Sequence, residues 1–330
     1  SDMGPGEMEL LIQAAKHSGQ PLSVLLIQYN DFPDRWKDTL NHISYANKSG
    51  IKTTGQVGSR PIGVLMGFNT SVNPFSSHEV WQKIKHLSNK ERNNIIKNDI
   101  NIRNSLINDV PDNGHTKWIQ QTFSLTYLLK EPLNYEPTKE MSINSISSKL
   151  NKKPWEIILD HFTSSEDDEF LMHTFENYTH NSLDVIAEML ESEYTICGVG
   201  DAGAHVATIC DASYPTFMVP FWSRDRKRGK LLNLEYLVSK QTLKTAQTYG
   251  LMDRGALIEG MRADINIIDY DNIGLTKPCL TYDLPAGGKR LIQKSKGYDH
   301  TFVKGVEVSQ NGEFTGQLPG KLIRGNQSIN

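Results

Sequence analysis

Apolar positions recur at helical spacing near the start of the chain. Met8, Leu11, Ile12 and Ala15 line one side of a helix, and Gly19 can end it. The apolar run PLSVLLIQY at 21–29 then predicts a buried strand. Helical spacing returns over Asp34–Lys48, with Trp36, Leu40 and Ile43 on one side and Gly50 after it. The β-branched run IKTTGQV at 51–57 predicts a second strand. Helix, strand, helix, strand is the rhythm of a parallel sheet with crossover helices.

Residues 58–140 break that rhythm. GSRPIGVLMGFNTSVNPF has scattered Gly and Pro and no period, a charged helical stretch follows, and EPLNYEPTKE is a polar connection. A long excursion of this kind between barrel units can shape the mouth of a site. Regularity resumes with helices expected over Met141–Leu150 and Pro154–Thr163 and a strand in EFLMHTF at 169–175. A helix over Leu183–Leu190 and a strand in EYTICGVG at 193–200 follow, then helices over Phe217–Arg228 and Leu234–Tyr249. From residue 251 the pattern turns to short strands and turns, the mark of a small antiparallel module. About four strand–helix units stand where a complete (β/α)₈ barrel needs eight. The expected fold is α/β: a partial (β/α)₈ barrel over residues 1–250, about its second half, with the insertion at 58–140. Part of a small β-sandwich is expected over 251–330.

Composition narrows the class. The chain has 330 residues, 38% hydrophobic and 22% charged, with a formal net charge of -3. Such a balance gives no global basic field to recruit nucleic acid. No apolar run reaches the roughly 18 residues of a membrane span, and the amino terminus has neither the basic nor the apolar region of a signal peptide. Three Cys do not make a disulfide framework in a chain of this length, which points to a reducing, cytoplasmic setting.

Candidate chemistry gathers in TICGVGDAGAHVATICDASYPT, residues 195–216. Asp201 follows the apolar run and would face a barrel mouth, holding a metal or taking a proton from water, or else it forms a turn before Gly203. Gly198, Gly200 and Gly203 allow sharp bends and close approach to a ligand. His205 is open between ligating a metal, binding substrate and a structural role. Asp211 reads as a helix cap. His173 lies in a strand with Phe170, Met172 and Thr174 on the opposite face, as a mouth-facing ligand or a hydrogen-bonded core histidine. Arg60 follows a strand and could clamp a substrate carboxylate through two hydrogen bonds. Arg224 and Arg226 in FWSRDRKRG could do the same, or belong to a solvated helix face.

The segments GVGDAGAHV, CDASYPT, YGLMDRGALIEGMRADINIID, YDLPAGGKRL and GEFTGQLPGKLIRG, with GSRPIG and NPF upstream, resemble N-acyl-D-amino-acid deacylases of the amidohydrolase superfamily, carboxy-terminal portion. The resemblance covers most of the chain and is best from about Trp155 to Arg324. It implies a metal-dependent hydrolase of amide C–N bonds, with a (β/α)₈ barrel beside a composite β-sandwich. Zn²⁺ would be the cofactor and a small-molecule amide the substrate. Asp201 stands at the position of the family's last-strand Asp, as proton shuttle and metal ligand. His205 and His173 are further candidate metal ligands, and Arg60, Gly203 and His205 candidate substrate contacts. The family's His-x-His pair is missing from the sequence, in which all ten His are well separated. The expectation is therefore a carboxy-terminal portion of such an enzyme. The alternative is a non-catalytic fragment, or an assembly module that self-associates through incomplete barrel edges.

Overall fold

The computed structural model describes residue 4, residues 6–200 and residues 203–325. It opens with α1 (Glu7–Ser18), β1 (Leu22–Leu25), α2 (Arg35–Lys48) and β2 (Thr53–Val57). Gly19 ends α1 in the left-handed region at φ 67°, its N–H on the Ala15 carbonyl. β1 and β2 pair in parallel from Leu22–Thr53 to Leu25–Gln56. Met8 and Ile12 of α1, Val24 of β1 and Ile43 and Ala46 of α2 pack as one cluster, so both helices lie against the same side of this sheet.

Next come β3 (Ile62–Met66), α3 (Glu79–Ile84), α4 (Asn89–Asn98), α5 (Ile100–Asn108), α6 (Gly114–Gln121) and β4 (Thr126–Leu129). α7 (Ile143–Leu150), α8 (Pro154–Phe162) and β5 (Phe170–Glu176) follow. The strand expected at 169–175 is present, but its place in a parallel barrel is not. β5 is the middle strand of a separate sheet, β3-β5-β4, antiparallel to both neighbours. Both neighbours come from the stretch read as an excursion.

The cause is burial on both faces. Met172, Tyr127 and Leu65 enter one apolar core, while Leu171 and Met66 enter another built with α3, α4, α5 and α8. A strand covered on both sides loses the alternation that would announce it. Gly63 shows how closely these strands meet. A Cβ there would lie 2.0 Å from the His173 carbonyl oxygen, so only glycine fits.

After β5 come α9 (Asp184–Glu191) and β6 (Thr195–Cys197). β6 joins β2 in parallel, giving the order β1-β2-β6. α10 (Tyr214–Pro220) continues into a π-helical turn at Phe221–Asp225. α11 (Leu234–Ser239) and α12 (Thr245–Thr248) are joined by a second π-helical turn, Lys240–Lys244.

The remainder holds β7 (Ile265–Ile268), β8 (Gly274–Leu275), β9 (Cys279–Leu284), β10 (Gly288–Ile292), β11 (Ser295–Lys296), β12 (Tyr298–Val303), β13 (Val306–Gln310) and β14 (Glu313–Phe314). They form an antiparallel sheet in the order β14-β13-β12-β7 and two strand pairs, β10-β9 and β11-β8. The fold is thus mixed α/β with several sheets. Among the described residues no helix is long and apolar enough to cross a membrane.

Candidate functional site

Arg60 lies three residues past the carboxyl end of β2, and its side chain turns inward. Only 3% of the residue is exposed. The guanidinium sits between the rings of Tyr135 and Tyr214, 4.4 and 4.6 Å from their centroids. Nη1 donates to Gln293 Oε1 at 3.2 Å and Nη2 to the Cys210 carbonyl at 3.3 Å. Asp211 Oδ1 lies 3.7 Å from Nη2 and supplies the counter-charge. Aromatic faces favour a desolvated cation, which offsets the burial.

The neighbouring hydroxyl and thiol are held neutral. Burial pushes the Tyr135 hydroxyl up to about 12 and also raises the Cys210 thiol. Gln293 Nε2 donates to the Tyr135 hydroxyl at 2.8 Å, and Ser213 Oγ donates to Gln293 Oε1 at 2.7 Å. Arg60, Tyr135, Met172, Cys210 and Asp211 line a cleft of about 20 Å³, room for about one water molecule. The positive charge of Arg60 is balanced by Asp211, and its donors are taken by Gln293 and the Cys210 carbonyl. Tyr135 and Gln293 carry no signal in the sequence. Gln293 is distant in the chain and belongs to no motif, and Tyr135 sits in the polar connection EPLNYEPTKE.

The other candidates do not join this cluster. His173 borders the cleft, but its ring is engaged elsewhere. β5 alternates, so His173 turns away from Met172 and shares the face of Leu171. Its Nδ1 bonds Thr126 Oγ1 at 3.0 Å, and its ring stands edge-on to Trp118 and Phe175, 4.7 and 5.0 Å away. His205 is exposed, in the left-handed region at φ 49°, and its carbonyl accepts from the Thr208 and Ile209 N–H groups. Gly203 is exposed, with open space where a Cβ would stand. Asp201, with Ala202, lies outside the described residues. Asp211 does not cap through its side chain; it opens a short 3₁₀ turn at Asp211–Ser213 and faces Arg60.

Two arginines read as clamps or solvated residues are structural struts. Arg224 donates to the carbonyls of Tyr270 and Ile273. Arg226 is buried and ion-paired to Glu136 and Asp184. Among the described residues no group of three His, Cys, Asp or Glu is placed to hold a metal ion.

The environment of His173 makes a pH prediction. Burial pushes its pKa from 6.5 down to about 4. The folded state therefore refuses a proton that the unfolded chain binds in that interval. Stability should fall as pH drops through 6.5 towards 4, by about 3 kcal/mol when the shift is fully expressed. Urea midpoints at pH 7 and pH 4.5 should separate strongly in the wild type and much less in His173→Gln. Equal separations would contradict it.

Comparison with known proteins places the chain. The model of the amidohydrolase family matches residues 138–309, more than half of the chain. The N-acyl-D-glutamate deacylase of Alcaligenes xylosoxydans xylosoxydans is 32% identical over 105 residues, 31% of this chain and 19% of that protein. The N-acyl-D-aspartate deacylase of the same organism is 35% identical over 104 residues, again 31% and 19%. A D-aminoacylase crystal structure is 16% identical and covers 96% of this chain and 53% of its own, with a TM-score of 0.49. The Bordetella bronchiseptica N-acyl-D-glutamate deacylase, solved with zinc and a phosphonate inhibitor, is 15% identical, covers 98% and 53%, and has a TM-score of 0.47. The chain thus spans about half the length of these solved chains, and the matched segment about a fifth of the curated relatives. On the match over residues 138–309, the chain belongs to the amidohydrolase family.

Proposed function

We propose that this chain carries part of the site of a hydrolase that cleaves the amide C–N bond of N-acyl-D-amino acids. The family match over 138–309, which takes in GVGDAGAHV and its Asp201, carries this reading. Both curated relatives are deacylases of acidic N-acyl-D-amino acids. Arg60 is the proposed contact for the substrate carboxylate, which would take the place of Asp211 and the Cys210 carbonyl on its fork. Asp201 takes the proton of the attacking water and returns it to the leaving amine. Gly203 and His205 border that position in sequence. Zinc is implied by the resemblance, with Asp201, His205 and His173 as candidate ligands. The described residues do not fit it, since His173 points into a core face and no three-ligand group forms among them.

The architecture belongs to the same proposal. β1, β2 and β6 make a run of parallel strands from a partial (β/α)₈ barrel within 1–250, and residues 251–330 make part of a β-sandwich. A second reading is an assembly module. Leu25 on the outer strand β1 is 44% exposed, and Ile267 and Phe314 on the β7–β14 sheet are 47% and 64% exposed. Light scattering over a concentration series decides it: a constant monomer mass removes self-association.

Arg60→Lys tests the carboxylate contact. It keeps the charge and loses the fork. Titration calorimetry with N-acetyl-D-glutamate should show at least about a tenfold loss of affinity, with the far-ultraviolet spectrum unchanged. Equal affinity would remove Arg60 from the substrate site.

A further inference from the structure

Asn177 holds a hydrogen-bond donor that finds no partner among the described residues. The residue is fully buried and sits just past the carboxyl end of β5 at φ 61°. The Gln28 N–H donates to its Oδ1 at 2.7 Å. A backbone N–H can only donate, so this bond fixes which end of the amide is oxygen. The Asn177 N–H in turn donates to the Gln28 carbonyl at 3.0 Å. Clamped on both sides, the side chain cannot turn to satisfy its other end. Nδ2 is buried and has no hydrogen-bond partner among the described residues. Leaving such a donor unused costs about 1–3 kcal/mol, so stability does not explain it.

The surroundings point to a ligand. Gly58 is the first residue past β2. A Cβ there would lie 3.7 Å from Asn177 Nδ2, 3.7 Å from Val199 Cγ2 and 3.6 Å from Ile62 Cγ1. The absent side chain thus leaves room for about one methyl group beside the amide, where β2 and β6 end. Val199 borders that space at φ 63°. A β-branched residue in the left-handed region costs about 1–2 kcal/mol. A change of the Val199 backbone out of that region would relieve the strain and shift the side chain beside the donor. Arg60 stands two residues beyond Gly58.

We propose that the Asn177 amide is a binding donor for a ligand oxygen, reached past Val199. Naming that oxygen as the carbonyl or carboxylate of an acylated amino acid rests on the deacylase reading. The donor site itself does not.

The side-chain NH₂ pair of Asn177 reports directly on this contact. In ¹⁵N-labelled protein it is identified by its loss in Asn177→Asp, which keeps the acceptor for Gln28 and replaces the donor with a carboxylate oxygen. Should that variant not fold, the pair is assigned through its contacts to the Val199 methyls. Sodium acetate and N-acetyl-D-glutamate are titrated separately into wild type and Val199→Gly. The expected result is a saturable downfield shift of the pair, reached at several-fold lower ligand concentration in Val199→Gly. A pair unmoved by both ligands in both proteins overturns the proposal. If acetate moves the pair and N-acetyl-D-glutamate is neither bound nor hydrolysed, the donor site stands and the deacylase reading falls. If N-acetyl-D-glutamate is hydrolysed while the pair stays unmoved, the deacylase reading stands and the donor site falls.

Discussion

Arg226→Met should destabilise the protein by about 3–5 kcal/mol, because it strands a buried carboxylate. The Arg226 side chain is completely buried. Its Nε and Nη2 donate to the two Glu136 oxygens at 3.2 and 2.8 Å, and Nη2 also reaches Asp184 Oδ1 at 2.7 Å. The guanidinium lies 4.8 Å from the Trp222 ring centroid. Glu136 Oε1 also accepts the Leu183 N–H at 2.9 Å, at the start of α9. One ion pair therefore ties the connection before α7, α9 and the turn after α10. Without the arginine, Glu136 keeps its burial and loses its counter-charge. Adding Glu136→Gln to Arg226→Met should recover a large part of the loss. Urea denaturation of the two single variants and the double variant measures both effects. A loss below about 1 kcal/mol, the scale of a surface pair, would show that the pair is not buried as described.

Asp201→Asn should lower turnover of N-acyl-D-amino acids by at least about a hundredfold, since an amide cannot accept the proton. Asparagine has the same shape and conserves turn-forming ability, so the urea midpoint should hardly move. The motive is the position of Asp201 in GVGDAGAHV, behind the run that forms β6. Turnover within a few-fold of wild type would remove Asp201 from the mechanism.

The elements that alternate or carry a one-sided apolar stripe were legible in the chain. α1, α2, α8 and α9 lie within a few residues of their expected positions, and β1, β2 and β6 form inside the predicted runs. β3 and β4 were not legible: IGVLM and TYLL are short apolar runs set in a stretch of scattered Gly, Pro and charge with no period. Burial on both faces of β5 hid the orientation of His173. Alternation separates it from Met172 and Thr174, but only the partners of β5 decide which face meets a site. The Arg226 pair was hidden for a different reason: RDRKRG reads as solvated charge, and its partner Glu136 is fixed by tertiary structure alone. Asn177 carries no sequence signal beyond a plain asparagine. Its meaning comes from Gln28, Gly58 and Val199, which the fold brings together.

The most direct measurement is hydrolysis itself. Purified protein, with and without added Zn²⁺, is incubated with the D and L forms of N-acetyl-glutamate and N-acetyl-aspartate, and the released amino acid is quantified. The proposed function predicts release from the D forms, little from the L forms, and loss of release in Asp201→Asn. No release from any of these amides by protein that is folded by circular dichroism, with or without Zn²⁺, would contradict it.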